Sequence, residues 1–113
     1  MRLYLINAQA MRDLDEIAEY RGNLDLDLAD QFLQEFDRKC IQSANFPMSG
    51  KAYPQLKQGL RGISWSGYII FYRLLDNGIE IMRVLNGRRD LFSFFRQVDK
   101  IFWRNRYEFP IAA

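Results

Sequence analysis

The spacing of apolar residues along the chain changes from strand-like to helical, to strand-like, and back to helical. Arg2 to Ile6 reads as a short strand, and Asn7 is placed to cap a helix that carries Leu14, Ile17 and Ala18 and stops at Gly22. A second helix starts near Asn23 to Asp27, where clustered carboxylates suit the positive end of the helix dipole. It repeats Leu28, Phe32, Phe36 and Cys40 at every fourth position, with Ala29 and Leu33 alongside. The run Phe46, Pro47, Met48, Ser49, Gly50 ends it, because proline lacks a donor and disfavours helical geometry in the residue before it. Two helices joined so closely form a hairpin, and their apolar stripes need a sheet to cover.

The next segment supplies that sheet. Leu56 to Trp65, Tyr68 to Leu75 and Ile79 to Leu85 are rich in aromatic and β-branched residues, and Ser66, Gly67 and then Asp76, Asn77, Gly78 separate them. This is an antiparallel meander. Its middle strand is apolar on both parities, so it is expected to be central and covered on both sides. Taking Ser66, Gly67 and Asn77, Gly78 as two-residue turns sets a register in which Arg61 faces Tyr72 and Tyr72 faces Arg83. Two guanidinium groups beside a phenol can grip a carboxylate or phosphate through paired, charge-assisted hydrogen bonds. The plainer alternative is that each arginine lies along the ring and caps the sheet. After Asn86 and Gly87, Asp90 caps a last helix with Leu91, Phe94, Phe95, Val98 and Phe102 on one face. The aromatic and basic tail, with Phe102, Trp103, Tyr107 and Phe109 among Arg104 and Arg106, is read as packing in preference to base stacking.

Composition narrows the class. With 113 residues, 49% hydrophobic and 27% charged, the chain reads as one domain over residues 1–113. Its net charge of +2 conceals an asymmetry. Residues 1–50 hold 5 Lys or Arg against 9 Asp or Glu, a net −4, whereas residues 51–113 hold 11 against 5, a net +6. A basic half suits an acidic segment or a phosphate backbone. The one cysteine, Cys40, forms no internal disulfide, and in a chain without histidine its role is packing. The carboxylates Asp13, Asp15, Glu16 and Glu19 are assigned to a solvated helix face. No signal pattern, membrane-length apolar run, Cys/His metal spacing or phosphate-binding glycine loop is present, so a cytoplasmic protein without cofactor or metal is expected.

Leu60 and Arg61, the run Gly67 to Arg73, then Gly78 to Ile81, and finally Arg83, Val84, Leu85, Asn86, Gly87, Arg88, Arg89, Asp90, Leu91 follow one another in a recognisable order. In this the chain resembles the RelE/ParE superfamily of bacterial toxins, and more closely its ParE branch. The resemblance implies an α+β fold of an N-terminal strand, a helical hairpin, a three-stranded antiparallel meander and a C-terminal helix. It implies the toxin of a type II toxin–antitoxin system, partnered by a cognate antitoxin whose disordered, acidic, amphipathic segment folds on the toxin.

Within that superfamily the resemblance implies two activities. RelE-like members cut mRNA on the ribosome; here that chemistry would fall to Arg61 and Arg83 for phosphate charge and Tyr107 as the late tyrosine, with Lys51 and Lys57 standing in for the family lysines. ParE-like members lack that catalytic set and inhibit DNA gyrase by stabilising its cleaved-DNA complex. The sequence is closer to the second, with Arg61, Tyr72, Arg83, Arg88 and Arg89 as the residues for target or antitoxin contact. It departs from the common ParE pattern at Asn86, where a histidine usually precedes the glycine; asparagine suits the positive φ of a tight turn. A third reading is a toxin fold that now serves only to bind an antitoxin.

Overall fold

The computed structural model of the chain describes residues 3–88 and Leu91; Arg2, Arg89, Asp90, and the expected last helix and aromatic tail beyond Leu91 lie outside the described residues. The order is β1 (Leu3–Ile6), α1 (Ala8–Leu24), α2 (Leu26–Asn45), a 3-10 turn (Pro47–Ser49), β2 (Lys51–Ala52), β3 (Leu60–Trp65), β4 (Tyr68–Leu75) and β5 (Gly78–Asn86). The strands form one sheet in the order β1-β5-β4-β3-β2, with β1 parallel to β5 and the other neighbours antiparallel. This is the α+β class expected from the sequence.

Capping fixes the helical hairpin. Asn7 accepts from the Ala10 amide at 2.9 Å, satisfying one of the donors a helix start leaves open. Gly22 does not end α1, as the sequence reading had it; the helix runs on to Leu24, and Asp25 both closes it and caps α2 by accepting from the Asp27 amide at 2.8 Å. At Gly22 the two helices pack closely, and a Cβ added there would lie 3.8 Å from that of Ala29. One connecting residue therefore serves two helix ends. Phe46 and Pro47 end α2 where expected.

The sheet is buried on both faces. Ala10 and Leu14 of α1 and Phe32, Phe36, Cys40 and Ala44 of α2 pack against Trp65, Ile70, Tyr72, Ile79, Ile81 and Val84. Phe32 stacks on Trp65 with ring centroids 4.7 Å apart. Leu60, Ile69, Phe71, Met82 and Leu85 form a second cluster on the opposite face, with Tyr53, Leu56 and Leu91 against it. Both parities of β4 are thus covered, and β4 is the central strand, as its uninterrupted apolar run predicts. Burying each large apolar side chain contributes roughly 1.5–3 kcal/mol, so the two layers together hold the sheet in place.

Two details depart from the expected meander. Leu56 to Gly59 is turn, not strand, and the two-residue β2 at the sheet edge was not foreseen. The β3–β4 hairpin turns through Ser66 and Gly67, with φ of 53° and 86°, and sets Arg61 against Tyr72 as predicted. The β4–β5 hairpin instead turns through Asp76 and Asn77, because Leu75 pairs with Gly78. Gly78 has no positive φ; it is glycine because the Leu3 carbonyl of β1 lies where a Cβ would go. An irregularity at Phe71/Tyr72 then leaves Met82 as an extra residue on β5, a β-bulge, so that Tyr72 faces Ile81 and Phe71 faces Arg83. The predicted row Arg61, Tyr72, Arg83 is therefore broken at its third member.

Candidate functional site

Arg61 and Tyr72 are brought together, and both turn toward the loop that follows α2. The Tyr72 ring is fully buried; its hydroxyl donates to the Pro47 carbonyl at 2.7 Å and accepts from the Gly50 amide at 3.0 Å. A Cβ at Gly50 would collide with that hydroxyl and ring, so the close approach requires glycine. Arg61 donates through Nη1 to the Gly50 carbonyl at 2.5 Å and to the Met48 carbonyl at 3.4 Å. Burial raises the Tyr72 pKa above its ordinary value, and the Gly50 amide, the Arg61 charge and Ser49 only partly offset this. The phenol therefore stays neutral near pH 7 and acts as a brace.

Arg83 goes elsewhere. Its Nε and Nη2 donate to the Oδ2 and Oδ1 of Asp13 on α1, both at 2.8 Å, and Oδ2 also accepts from the Val84 amide at 2.9 Å. The Asp13 and Arg83 side chains are only 12% and 11% exposed, so Asp13 does not belong to the solvated helix face assigned from the sequence. The clue was its position between Ala10 and Leu14, both buried, which puts it at the border of the apolar stripe.

The basic turn closes the opposite end of β5. Asn86 accepts from the Arg88 amide through its side-chain oxygen at 2.8 Å, while the Gly87 amide donates to the Gly67 carbonyl at 3.0 Å. Asn86 belongs to β5 and has no positive φ; a side-chain hydrogen bond to the second residue on, not αL tolerance, is what asparagine supplies here. The β3–β4 turn and Gly87 border an open hollow of about 340 Å³ lined by Ser64, Trp65, Gly67, Tyr68, Ile69 and Gly87. Arg88 is exposed beside it; Arg89 lies outside the described residues. From α1, Arg21 lies 4.7 Å from the Phe32 ring centroid on α2 and 6.0 Å from that of Tyr68 on β4, a cation–π contact that sequence reasoning missed because helical spacing does not show which residues of other elements lie beneath.

Of the remaining residues of the nuclease reading, Lys51 comes close to Arg61, because β2 pairs with β3 at Gly62 and Arg61. Lys51 is exposed on β2 with Nζ 5.2 Å from the Tyr53 ring, and Tyr107 lies outside the described residues. Cys40 is 1% exposed, and burial first, then the Asp37 charge, push its thiol pKa well up, which suits packing and not nucleophilic work. Among the described residues no group of three or more His, Cys, Asp or Glu side chains is arranged to hold a metal ion, and no helix is long and apolar enough to cross a membrane.

The N-terminal strand, the helical hairpin and the antiparallel β3–β4–β5 meander within the mixed sheet are the RelE/ParE-like arrangement that the sequence led us to expect. Residues 4–91 match the family described as the ParE toxin of type II toxin–antitoxin system, parDE. The chain is 31% identical over 90 residues to Toxin ParE1 of Mycobacterium tuberculosis, strain CDC 1551 / Oshkosh, and equally to Toxin ParE1 of strain ATCC 25618 / H37Rv, covering 78% of this chain and 92% of each relative. The chain belongs to the ParE toxin family.

Proposed function

We propose that the chain is a toxin that acts on DNA gyrase without cutting RNA, works in the cytoplasm, and is neutralised by a cognate antitoxin. Family membership supports the toxin role. The choice of a binding mechanism over a nuclease rests on the state of the two arginines that RNA cleavage would need. The fork of Arg83 is engaged by both oxygens of Asp13, and Arg61 is directed at the carbonyls of Gly50 and Met48. A guanidinium engaged in this way is poorly placed to stabilise a phosphate in the transition state, which needs preorganised donors aimed at the developing charge.

On this reading Arg88, exposed on the Asn86-capped turn, and Arg89 contact the target, while Arg61, Tyr72 and Arg83 shape the surfaces around it. The test is induction of the chain alone in a bacterial host, with a DNA-damage reporter and mapping of mRNA 5′ ends in the same cells. Growth arrest with DNA damage and intact transcripts is the expected result. Codon-phased cuts without DNA damage would replace gyrase by the ribosome as target, and unimpeded growth would reduce the chain to a binding module.

A further inference from the structure

Two large apolar side chains stand out on the loop after α2: Phe46 is 66% exposed and Met48 is 65% exposed. Exposed apolar residues are common on their own. What sets these apart is the bracing of the backbone that carries them. The Phe46 amide donates to Gln42, the Ser49 amide to Phe46, and the Gly50 amide to the Tyr72 hydroxyl. That hydroxyl donates in turn to Pro47, and Arg61 holds the carbonyls of Met48 and Gly50. A buried phenol and a guanidinium are thus spent on fixing a five-residue loop whose largest side chains remain in water.

We propose that Phe46 and Met48 form the anchor surface for an acidic segment of the antitoxin that carries apolar side chains, a proposal that rests on the toxin–antitoxin reading above. A fixed loop loses little conformational freedom on binding, which is where much association free energy is otherwise lost. An aromatic ring and an adaptable thioether are side chains enriched in protein interfaces relative to the rest of a surface. The surrounding charge selects the partner's sign. From Phe46 to Leu75 the sequence contains no Asp or Glu, and the positive charge comes from Lys51, Lys57 and Arg61, since Arg73 is paired with Glu80. On α2 the carboxylates Glu35 and Asp37 lie at least two turns back from Phe46, and Asp37 already accepts from the Tyr4 hydroxyl at 2.6 Å. An acidic segment meets attraction on this rim and a basic one meets repulsion.

The test uses the whole chain and the protein encoded beside its gene as the antitoxin probe. The double variant Phe46→Asp, Met48→Asp is compared with wild type for growth arrest alone, rescue on co-expression, affinity of the purified proteins and thermal melting. The expected result is an unchanged melt and unchanged growth arrest, with rescue abolished and affinity lowered about 100-fold. Tyr72→Phe keeps both anchors but releases Pro47 and Gly50 from the hydroxyl, and is expected to weaken binding about tenfold.

Affinity of the double variant within a factor of two of wild type would overturn the proposal. So would loss of growth arrest with rescue-partner binding intact, which would assign the surface to the target. A shift from dimer to monomer caused by the double variant in the absence of the probe would overturn it in favour of self-association. If the wild-type chain arrests growth but is not bound by the neighbouring gene's product, the antitoxin reading itself fails and the surface loses its occupant with it.

Discussion

Two arginine–carboxylate pairs, one joining α1 to β5 and one within the β4–β5 hairpin, are built to different standards. Asp13 accepts from Arg83 on both oxygens and from the Val84 amide on one, so its carboxylate is well satisfied across 70 residues of sequence. Glu80 is 0% exposed, yet Arg73 donates to Oε1 alone, through Nε and Nη2 both at 2.6 Å, and Oε2 is buried without a hydrogen-bond partner. A buried pair repays its desolvation only when the geometry is good and the remaining lone pairs are filled. The first pair meets that condition and ties the helical layer to the sheet. The second links neighbouring strands that backbone hydrogen bonds already join, and carries an unmet acceptor.

The largest expected effect follows from breaking the first pair. Asp13→Ala leaves the Arg83 guanidinium and the Val84 amide without that partner in a nearly dry setting, and urea unfolding should show a loss of about 3–5 kcal/mol. Replacing the second pair together, Arg73→Met with Glu80→Met, removes both charges and the unmet acceptor. Its stability should match wild type or exceed it by about 1–4 kcal/mol in the same assay. A large loss there would show that the two pairs are equivalent after all.

The helix-facing layer also contains protons whose release opposes folding. Burial raises the pKa of Cys40, and also those of Tyr4 and Tyr72. A group whose folded pKa lies above its unfolded value contributes stability that is whole below the unfolded value and is lost as pH rises toward the folded one. For the thiol that loss starts near about 8.5 and amounts to at most about 1.4 kcal/mol per pH unit. Melting temperature should therefore fall above that pH, and Cys40 should react with a thiol reagent at pH 8 only when denaturant is added. The smallest stability effect belongs to the exposed turn: Arg88→Ala should change stability by less than about 0.5 kcal/mol while weakening growth arrest. That result would separate the arginine proposed to contact the target from the one that holds the fold.

Much of this architecture was legible in the sequence where the signals are local. Asn7 caps α1, Pro47 ends α2, and Ser66 with Gly67 fixes the β3–β4 register because a two-residue turn with positive φ at both positions admits few alternatives. The β4–β5 register was not legible, since its glycine answers to the carbonyl of Leu3, about 75 residues away, and not to turn geometry. Nor did β2 announce itself: Lys51 and Ala52 have no strand preference and pair only because β3 presents an edge. Of the site, Arg61 and Tyr72 were correctly paired, but their task in bracing the loop depended on knowing where Pro47 and Gly50 come to rest. Asp13 as the partner of Arg83 needed the packing of α1 on β5.

The extra residue at Met82 has a wider consequence. Before it, Ile79 and Ile81 face the helices; beyond it, Val84 does, so odd and even positions exchange sides within a single strand. Alternation along β5 works like a reading frame, and the bulge is a shift of one letter within it. Laying the same β5 sequence on a sheet that lacks the bulge would keep every side chain and yet reverse which of those beyond Met82 reach the core, whereas deleting the extra residue itself would leave the facing of Val84 and Leu85 unchanged. The placement of the basic turn is therefore encoded in the length of the strand as much as in its composition.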